Sequence, residues 1–271
     1  MIPIKDFVNR HSLPVYFILV FIISWGAILI LAGPDGIAAT PDQTVILGTA
    51  MLLGPTVAGL LMIGFTSGSA GYRELRSRLF KWRVRPRWYA FALLIAPLTT
   101  LAVLLTLSLF SHEFIPGIST SDDKIVFIMT GIVSGLIVGL FEELGWTGFA
   151  TPQMRRRYSI LTTGFVIGIL WGAWHFLLFW ENDSFSGAFP LILLLARLFS
   201  WLTAYRILMV WVYDHTESLL VIILMHASLV ATLAILDPPL SGGGLLTLIL
   251  VRSVILWIIV AALVASQRRA A

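Results

Sequence analysis

The sequence predicts an all-α polytopic membrane protein with about eight transmembrane helices and both termini in the cytoplasm. Hydrophobic residues make up 58% of the 271 positions and charged residues only 12%, with a mean hydropathy of +0.94. A soluble domain averages roughly 45–50% apolar and 25% charged residues. We therefore expect a single integral-membrane domain over residues 1–271, located in the cell membrane.

Eight apolar runs are long enough to cross a bilayer. Each crossing needs about 20 apolar residues to span roughly 30 Å of hydrocarbon. The predicted spans are 14–33, 43–65, 88–110, 125–149, 159–180, 188–212, 218–236 and 245–265. Because the first run, of about 19 residues, exceeds the usual signal-peptide core of 7–15 residues, we expect an uncleaved helix. A cleaved signal peptide is the alternative.

The basic residues orient these predicted helices. With both termini inside, the inner segments collect 14 of the 18 Lys and Arg residues, and only Lys124 falls in an outer segment. This distribution follows the positive-inside rule and supports eight spans. The sequence pI is near 9.7. Because the positive charge is spread over the inner segments instead of a folded basic domain, we do not expect nucleic-acid binding.

One inner segment has the pattern of a surface helix. Residues 71–88, GYRELRSRLFKWRVRPRW, alternate basic side chains with Leu75, Leu79, Phe80 and Trp82 at helical spacing. This pattern is typical of a helix that lies against anionic lipid. We therefore expect a cytoplasmic amphipathic helix and membrane lipids as partners, with an ordinary solvated basic loop as the alternative.

Few ionisable residues fall within the predicted spans. A charged side chain near the bilayer centre costs several kcal/mol on most scales, so such residues usually face the bundle interior and mark function. They are Glu142, Glu143, His175, Arg197, Arg206, His226 and Arg252. The chain has no cysteine, which excludes disulfides, thiol nucleophiles and thiolate metal ligands.

Two stripes of glycine lead to the glutamates and to the first of these histidines. The stripes are Gly131, Gly135 and Gly139 in the fourth span and Gly164, Gly168 and Gly172 in the fifth. Small residues four positions apart allow helix backbones to approach closely. We therefore expect the glutamates and His175 to lie against neighbouring helices in a water-poor pocket.

Glutamates and histidines in such a pocket suit hydrolysis. A positioned carboxylate can take a proton from water and return it to a leaving amine. Two neutral imidazoles and one carboxylate are also a ligand set typical of catalytic zinc. The residues therefore leave two routes open: activation of water by a carboxylate alone, or activation by Zn or another divalent metal held by Glu142, His175 and His226. An amide is the bond that we expect either route to cleave.

The same residues resemble the CPBP intramembrane proteases, which comprise the type II CAAX prenyl endopeptidases and bacteriocin-processing enzymes. The family pattern is E-E-x-x-x-R on one span, F-x-x-x-H on the next and H-x-x-x-N two spans later. Glu142 and Glu143 match the first motif, His175 in WGAWH the second and His226 in MHASLV the third. The resemblance implies an endopeptidase with a catalytic-type core over 125–236. In it, Glu142 would activate water, Glu143 would be its structural or proton-relay neighbour, and the two histidines would be water or metal partners.

The sequence departs from the family pattern at three positions. Trp171 replaces the Phe, Thr147 stands where the Arg is expected, and Val230 stands where the Asn is expected. In the family, the last His and the Asn are associated with oxyanion stabilisation, so Val230 removes a candidate donor. An arginine from another span could pair with a glutamate in place of the motif Arg. The candidates are Arg197, Arg206 and Arg252.

The resemblance implies peptides or membrane-anchored proteins as substrates, reached from the cytoplasmic side. A catalytically weak relative that acts as a membrane scaffold or immunity protein is one alternative, favoured by Thr147 and Val230. A proton-coupled transporter that uses Glu142 and Glu143 as carriers is another. It is less favoured, because the outer half of the fourth span is almost free of polar groups.

Overall fold

The computed structural model describes residues 4–32, 41–181 and 183–270, and every regular element in them is helical. The α-helices are α1 Ile4–Arg10, α2 Ser12–Ala32, α3 Pro41–Leu79, α4 Pro86–Ser108, α5 Gly117–Thr120, α6 Lys124–Gly145, α7 Thr151–Arg155, α8 Ile160–Trp174, α9 Phe176–Phe179, α10 Ala188–Leu195, α11 Trp201–Thr216, α12 Leu219–Leu236 and α13 Gly242–Ala270. A 3-10 helix covers His112–Phe114. Two π-helical turns, Trp146–Ala150 and Ala196–Ser200, join α6 to α7 and α10 to α11.

Seven helical stretches in the described residues are long and apolar enough to cross a membrane. They are Ser12–Leu31, Ile46–Leu79, Pro86–Ser108, Lys124–Arg155, Ala188–Thr216, Leu219–Leu236 and Gly242–Ser266. The predicted fifth span corresponds to the apolar helix α8, which has only 15 residues and is followed by the short helix α9. The helical path is interrupted at His175, whose ψ of −3° departs from the helical value. The chain is therefore an all-α multi-pass integral membrane protein, as predicted.

The two glycine stripes lie where the helices that carry the motif residues contact their neighbours. A Cβ atom added to Gly139 on α6 would lie 2.7 Å from the carbonyl oxygen of Ile223 on α12. One added to Gly168 on α8 would lie 2.8 Å from the Cα atom of Thr203 on α11. The predicted close approach is therefore confirmed, and it pairs α6 with α12 and α8 with α11.

Segments that the sequence places on the inner side meet at one end of the bundle. Lys81 forms an ion pair with Glu217 at 3.2 Å. Arg155 forms another with Asp214 at 2.6 Å. The 3-10 helix and the loop between α12 and α13 lie together at the opposite end, where a Cβ atom added to Gly244 would lie 2.8 Å from a carboxylate oxygen of Glu113. This grouping agrees with the predicted order of inner and outer segments, while the side of the membrane that each end faces stays a prediction.

The predicted amphipathic segment 71–88 is not one helix: it is helical up to Leu79 and again from Pro86, where α4 begins. Its first helical part follows a break at Gly68, where φ is 56° and ψ is −142°. Residues 80–85 leave the helix, and Arg85 is held at ψ 134° because it precedes Pro86. Leu75 is buried against the bundle, whereas Phe80 and Trp82 are exposed.

Candidate active site

Glu143 ties three helices together inside the bundle. Its Oε1 atom accepts a hydrogen bond from Nδ1 of His226 on α12 at 2.8 Å. Nη1 of Arg206 on α11 donates to both carboxylate oxygens at 3.0 Å, and Oγ1 of Thr147 donates to Oε2 at 2.5 Å. All four side chains are buried. The carboxylate of Glu143 is therefore surrounded by donors, and it fixes the positions of α11 and α12 relative to α6.

Thr147 reaches Glu143 from within a π-helical turn. The turn Trp146–Ala150 follows directly on α6, and Oγ1 of Thr151 donates to the carbonyl oxygen of Trp146 at 2.8 Å. The backbone N–H of Thr151 donates to the same oxygen, so this carbonyl accepts two hydrogen bonds at the point where the helical pattern changes. Single π-helical turns within α-helices are frequent at functional sites. Thr147 is therefore a hydrogen-bond donor to the second motif glutamate, although it cannot supply the charge of the family's Arg.

Arg206 supplies the guanidinium that position 147 lacks. The side chain is fully buried, and its Cζ atom lies 4.3 Å from the ring centroid of Trp171 on α8. In the described residues its Nε and Nη2 atoms have no hydrogen-bond partner. The other two candidate arginines pair elsewhere, Arg197 with Glu181 and Arg252 with Asp237. The sequence left three candidates, and the packing of α8 on α11 selects this one.

Glu142 has a different environment from its neighbour. It is 2% exposed, and its Oε2 atom accepts a hydrogen bond from Nε1 of Trp171 at 2.6 Å. No donor in the described part of the chain bonds to Oε1. Unlike the carboxylate of Glu143, that of Glu142 therefore keeps an oxygen that can accept a proton or a water hydrogen.

His175 lies where α8 ends, and one of its two ring nitrogens is hydrogen-bonded within the chain. Its Nδ1 atom lies 2.7 Å from the carbonyl oxygen of Trp171. Because a carbonyl only accepts, Nδ1 must carry the proton, and in the neutral ring Nε2 keeps its lone pair. The ring stacks on Phe179 with centroids 5.5 Å apart.

Trp171 contacts three of the four predicted site residues, Glu142, His175 and His226. Its ring centroid lies 5.3 Å from that of His226 and 5.4 Å from that of His175. The structure thus brings Glu142, Glu143 and His226 into one buried cluster and connects His175 to it through Trp171. From the sequence, Trp171 was identified only as a replacement for the motif Phe, so this linking role was missed. A signal for it was present, since Trp171 lies one helical turn before His175 and thus on the same face.

The predicted metal ligands do not form a compact set. In the residues that the structure describes, no three His, Asp or Glu side chains are grouped closely enough to hold a metal ion. Nδ1 of His226 is bonded to Glu143, and the cationic Arg206 lies in the same cluster. In the described residues, Glu142, His175 and His226 are therefore not arranged as a compact ligand set, while a bound metal stays a prediction.

Comparisons with known proteins agree with the motifs. The family model described as type II CAAX prenyl endopeptidase Rce1-like matches residues 124–232. The protein named CAAX prenyl protease 2 from Methanococcus maripaludis is 27% identical over 143 residues, which cover 50% of this chain and 51% of the relative. The alignment thus spans about half the length of that relative. The residues that the family model matches include Glu142, Glu143, His175 and His226, so the chain is similar to this protease family over less than half of its length.

Proposed function

We propose that the chain is an intramembrane endopeptidase in which Glu142 activates the hydrolytic water. The contrast between the two adjacent glutamates carries this proposal. Glu143 is bonded by Arg206, His226 and Thr147, whereas Glu142 has an oxygen without a donor. Catalysis by a general base needs an available carboxylate oxygen in a fixed position. Glu142 meets that requirement and Glu143 does not.

In the proposed reaction, the water oxygen attacks the peptide carbonyl carbon while Glu142 takes one water proton. The second water hydrogen is held by Nε2 of His175, which is the free acceptor of that ring. When the tetrahedral intermediate collapses, the C–N bond breaks and Glu142 returns its proton to the leaving amine. Trp171 orients both groups, since its indole N–H bonds to Glu142 and its carbonyl accepts from His175.

Glu143 has a positioning role in this proposal. Its carboxylate holds His226 by Nδ1 and Arg206 by Nη1, so that both side chains keep a fixed orientation next to Trp171. Developing negative charge on the carbonyl oxygen needs preorganised donors nearby. The unpartnered Nε and Nη2 atoms of Arg206 are buried donors. Arg206 is therefore the candidate for stabilising the oxyanion, which Val230 cannot do because it has no donor.

The proposed substrates are peptides or proteins anchored in the membrane, cut near the cytoplasmic side. The name of the archaeal relative makes a prenylated C-terminal peptide the first substrate to examine. Assistance by a divalent metal such as zinc is an alternative to this reaction, in which no metal takes part. If prolonged chelation abolished hydrolysis and added Zn²⁺ restored it, the metal-free reaction would be wrong.

Purified protein in lipid vesicles provides the direct test. Internally quenched peptides, each with and without a prenyl group, would be incubated with the wild type and with Glu142→Gln. The variant keeps the side-chain volume and loses the base, so we expect hydrolysis to fall by roughly 10²- to 10⁴-fold. The matched control is Glu113→Gln, which changes an exposed carboxylate at the opposite end of the bundle. Equal rates for Glu142→Gln and wild type would rule out the assigned base.

A catalytically weak membrane scaffold is the second candidate, and Val230 favours it. This residue lies one helical turn after His226 on α12 and offers no donor. A scaffold would show no hydrolysis with any probe peptide, and Glu142→Gln would leave its abundance and its binding to partners unchanged.

A further inference from the structure

A groove lies between the start of α2 and the segment that joins α7 to α8, at the end of the bundle that carries the inner basic segments. It has a volume of about 630 Å³. One wall is formed by Arg10 to Phe17 and the other by residues from Gln153 to Leu170. None of the four predicted site residues lines it, so it is separate from the candidate active site.

Among the described residues, the mouth of the groove is lined by basic side chains and by no acidic one. Arg10, His11, Arg156 and Arg157 line it, and no Asp or Glu does. The three arginines form no ion pair within the described residues, and Arg156 makes only a 3.5 Å contact to the side chain of Gln153. Positive charge is thus concentrated here, and none of the described acidic side chains forms an ion pair with it.

A neighbouring cavity at the same end of the bundle offers an internal comparison. It has a volume of about 590 Å³ and contains several basic side chains, of which Arg156 lines both spaces. There, however, Lys81 pairs with Glu217 at 3.2 Å and Arg155 pairs with Asp214 at 2.6 Å. Basic side chains at this end of the bundle can therefore find acidic partners, but the arginines of the groove do not.

Behind the basic mouth, the groove becomes apolar. Leu13 and Phe17 lie one turn apart on α2, and Val166 and Leu170 lie one turn apart on α8. From the first residue of α8 to Leu170, the helix rises about 15 Å at 1.5 Å per residue. An occupant must therefore combine an anionic head with a hydrocarbon chain.

We propose that this groove binds an anionic phospholipid. The phosphate lies at Arg10, Arg156 and Arg157, and one acyl chain follows the apolar walls between α2 and α8. Arginine suits this contact because its planar guanidinium donates two parallel hydrogen bonds to phosphate oxygens. A zwitterionic lipid offers the same chain, but its net charge is zero, so the groove should prefer an anionic headgroup.

Binding of defined lipids to the full chain in a neutral detergent tests the proposal by native mass spectrometry. The probes are dioleoyl-phosphatidylglycerol, dioleoyl-phosphatidylcholine and inorganic phosphate. The groove variant is Arg10→Gln with Arg157→Gln, and the control is Arg83→Gln with Arg87→Gln. The control removes two basic side chains outside the groove that stack on Trp82 and Trp88. A third variant, Val166→Trp, fills the apolar part and leaves the arginines in place.

We expect the wild type and the control to bind phosphatidylglycerol in preference to phosphatidylcholine. The groove variant should lose about 25-fold in affinity for phosphatidylglycerol, at about fivefold per arginine. Val166→Trp should lose binding of both lipids. If the groove variant binds phosphatidylglycerol as the wild type does, or if inorganic phosphate competes equally well, the proposal is wrong. Displacement of bound phosphatidylglycerol by a prenylated peptide, with turnover of that peptide reduced in the groove variant, would assign the groove to substrate instead.

Discussion

Arg206 on α11 binds both carboxylate oxygens of Glu143 on α6 through a single terminal nitrogen, at 3.0 Å to each oxygen, and both side chains are completely buried. Replacing one partner of a buried pair leaves the other as an uncompensated charge. This relationship therefore determines how the fold should respond to substitutions at the site.

Removing Arg206 should destabilise the protein strongly. We expect Arg206→Met to lower the free energy of unfolding by about 3–5 kcal/mol, because the buried carboxylate of Glu143 loses its counter-charge. The measurement is denaturant or thermal unfolding in detergent. Arg197→Met is the control, since its partner Glu181 is 65% exposed, and such pairs contribute only about 0–1 kcal/mol. Adding Glu143→Gln to Arg206→Met should recover stability; a double variant no more stable than Arg206→Met would contradict this account.

Replacing Trp171 by Phe should affect turnover more than substrate binding. The variant keeps an aromatic ring beside Arg206 and both histidines, but it loses the indole N–H and with it the hydrogen bond to Glu142. Hydrogen bonds to charged groups contribute about 1.5–3 kcal/mol, so we expect kcat to fall at least about tenfold with KM nearly unchanged. Trp146→Phe is the control, because the indole N–H of Trp146 is buried without a partner in the described residues. A rise in KM alone would show that Trp171 contacts substrate and does not position the base.

A methyl group at Gly139 should force α6 away from α12. The added Cβ atom would lie 2.7 Å from the carbonyl oxygen of Ile223 and 3.0 Å from the backbone nitrogen of Ala227. Overpacking of this kind costs about 1–3 kcal/mol, and separating the helices should also lengthen the contact between His226 and Glu143. We therefore expect Gly139→Ala to lower both unfolding temperature and activity. Gly26→Ala is the control, as nothing lies within 4 Å of its added Cβ atom, and equal effects of the two variants would contradict the packing argument.

The absence of cysteine from the sequence allows a direct measurement of membrane orientation. If the basic segments face the cytoplasm, a membrane-impermeant maleimide applied to intact cells should label His112→Cys and not Arg83→Cys. Both variants should react after the membrane is permeabilised. The reverse pattern in intact cells would overturn the predicted cytoplasmic location of both termini.

Hydropathy and charge were sufficient to predict the helical membrane fold, because each span must satisfy its backbone hydrogen bonds internally and must cover the hydrocarbon with apolar side chains. The glycine stripes likewise indicated where helices come close. The break in the fifth span could not be predicted, since it depends on the backbone at His175 and not on composition. By contrast, the break in the helix after Leu79 could have been expected from Pro86, because a residue that precedes proline is disfavoured in the helical conformation.

The site was only partly predictable for a related reason. The motif residues Glu142, Glu143 and His226 are recognisable along the chain, but the choice among three arginines depends on which helices are neighbours in space. Arg206 is selected because Gly168 lets α11 approach α8, with 3.3 Å between the added Cβ of that glycine and the Cβ of Arg206. Such a selection belongs to tertiary packing, and no local pattern in the sequence encodes it.

The π-helical turn Trp146–Ala150 also sets the rotational phase of the chain that follows it. A π turn holds one residue more than the α-helical turn it replaces, and one residue corresponds to about 100° of rotation at 3.6 residues per turn. Glu143 before the turn can therefore face α12 while Arg155 beyond it meets Asp214 on α11. Deleting a single residue from the turn would turn Arg155 away from Asp214 and leave Glu143 where it is, so the extra residue keeps the buried carboxylate and the basic end of the bundle in register.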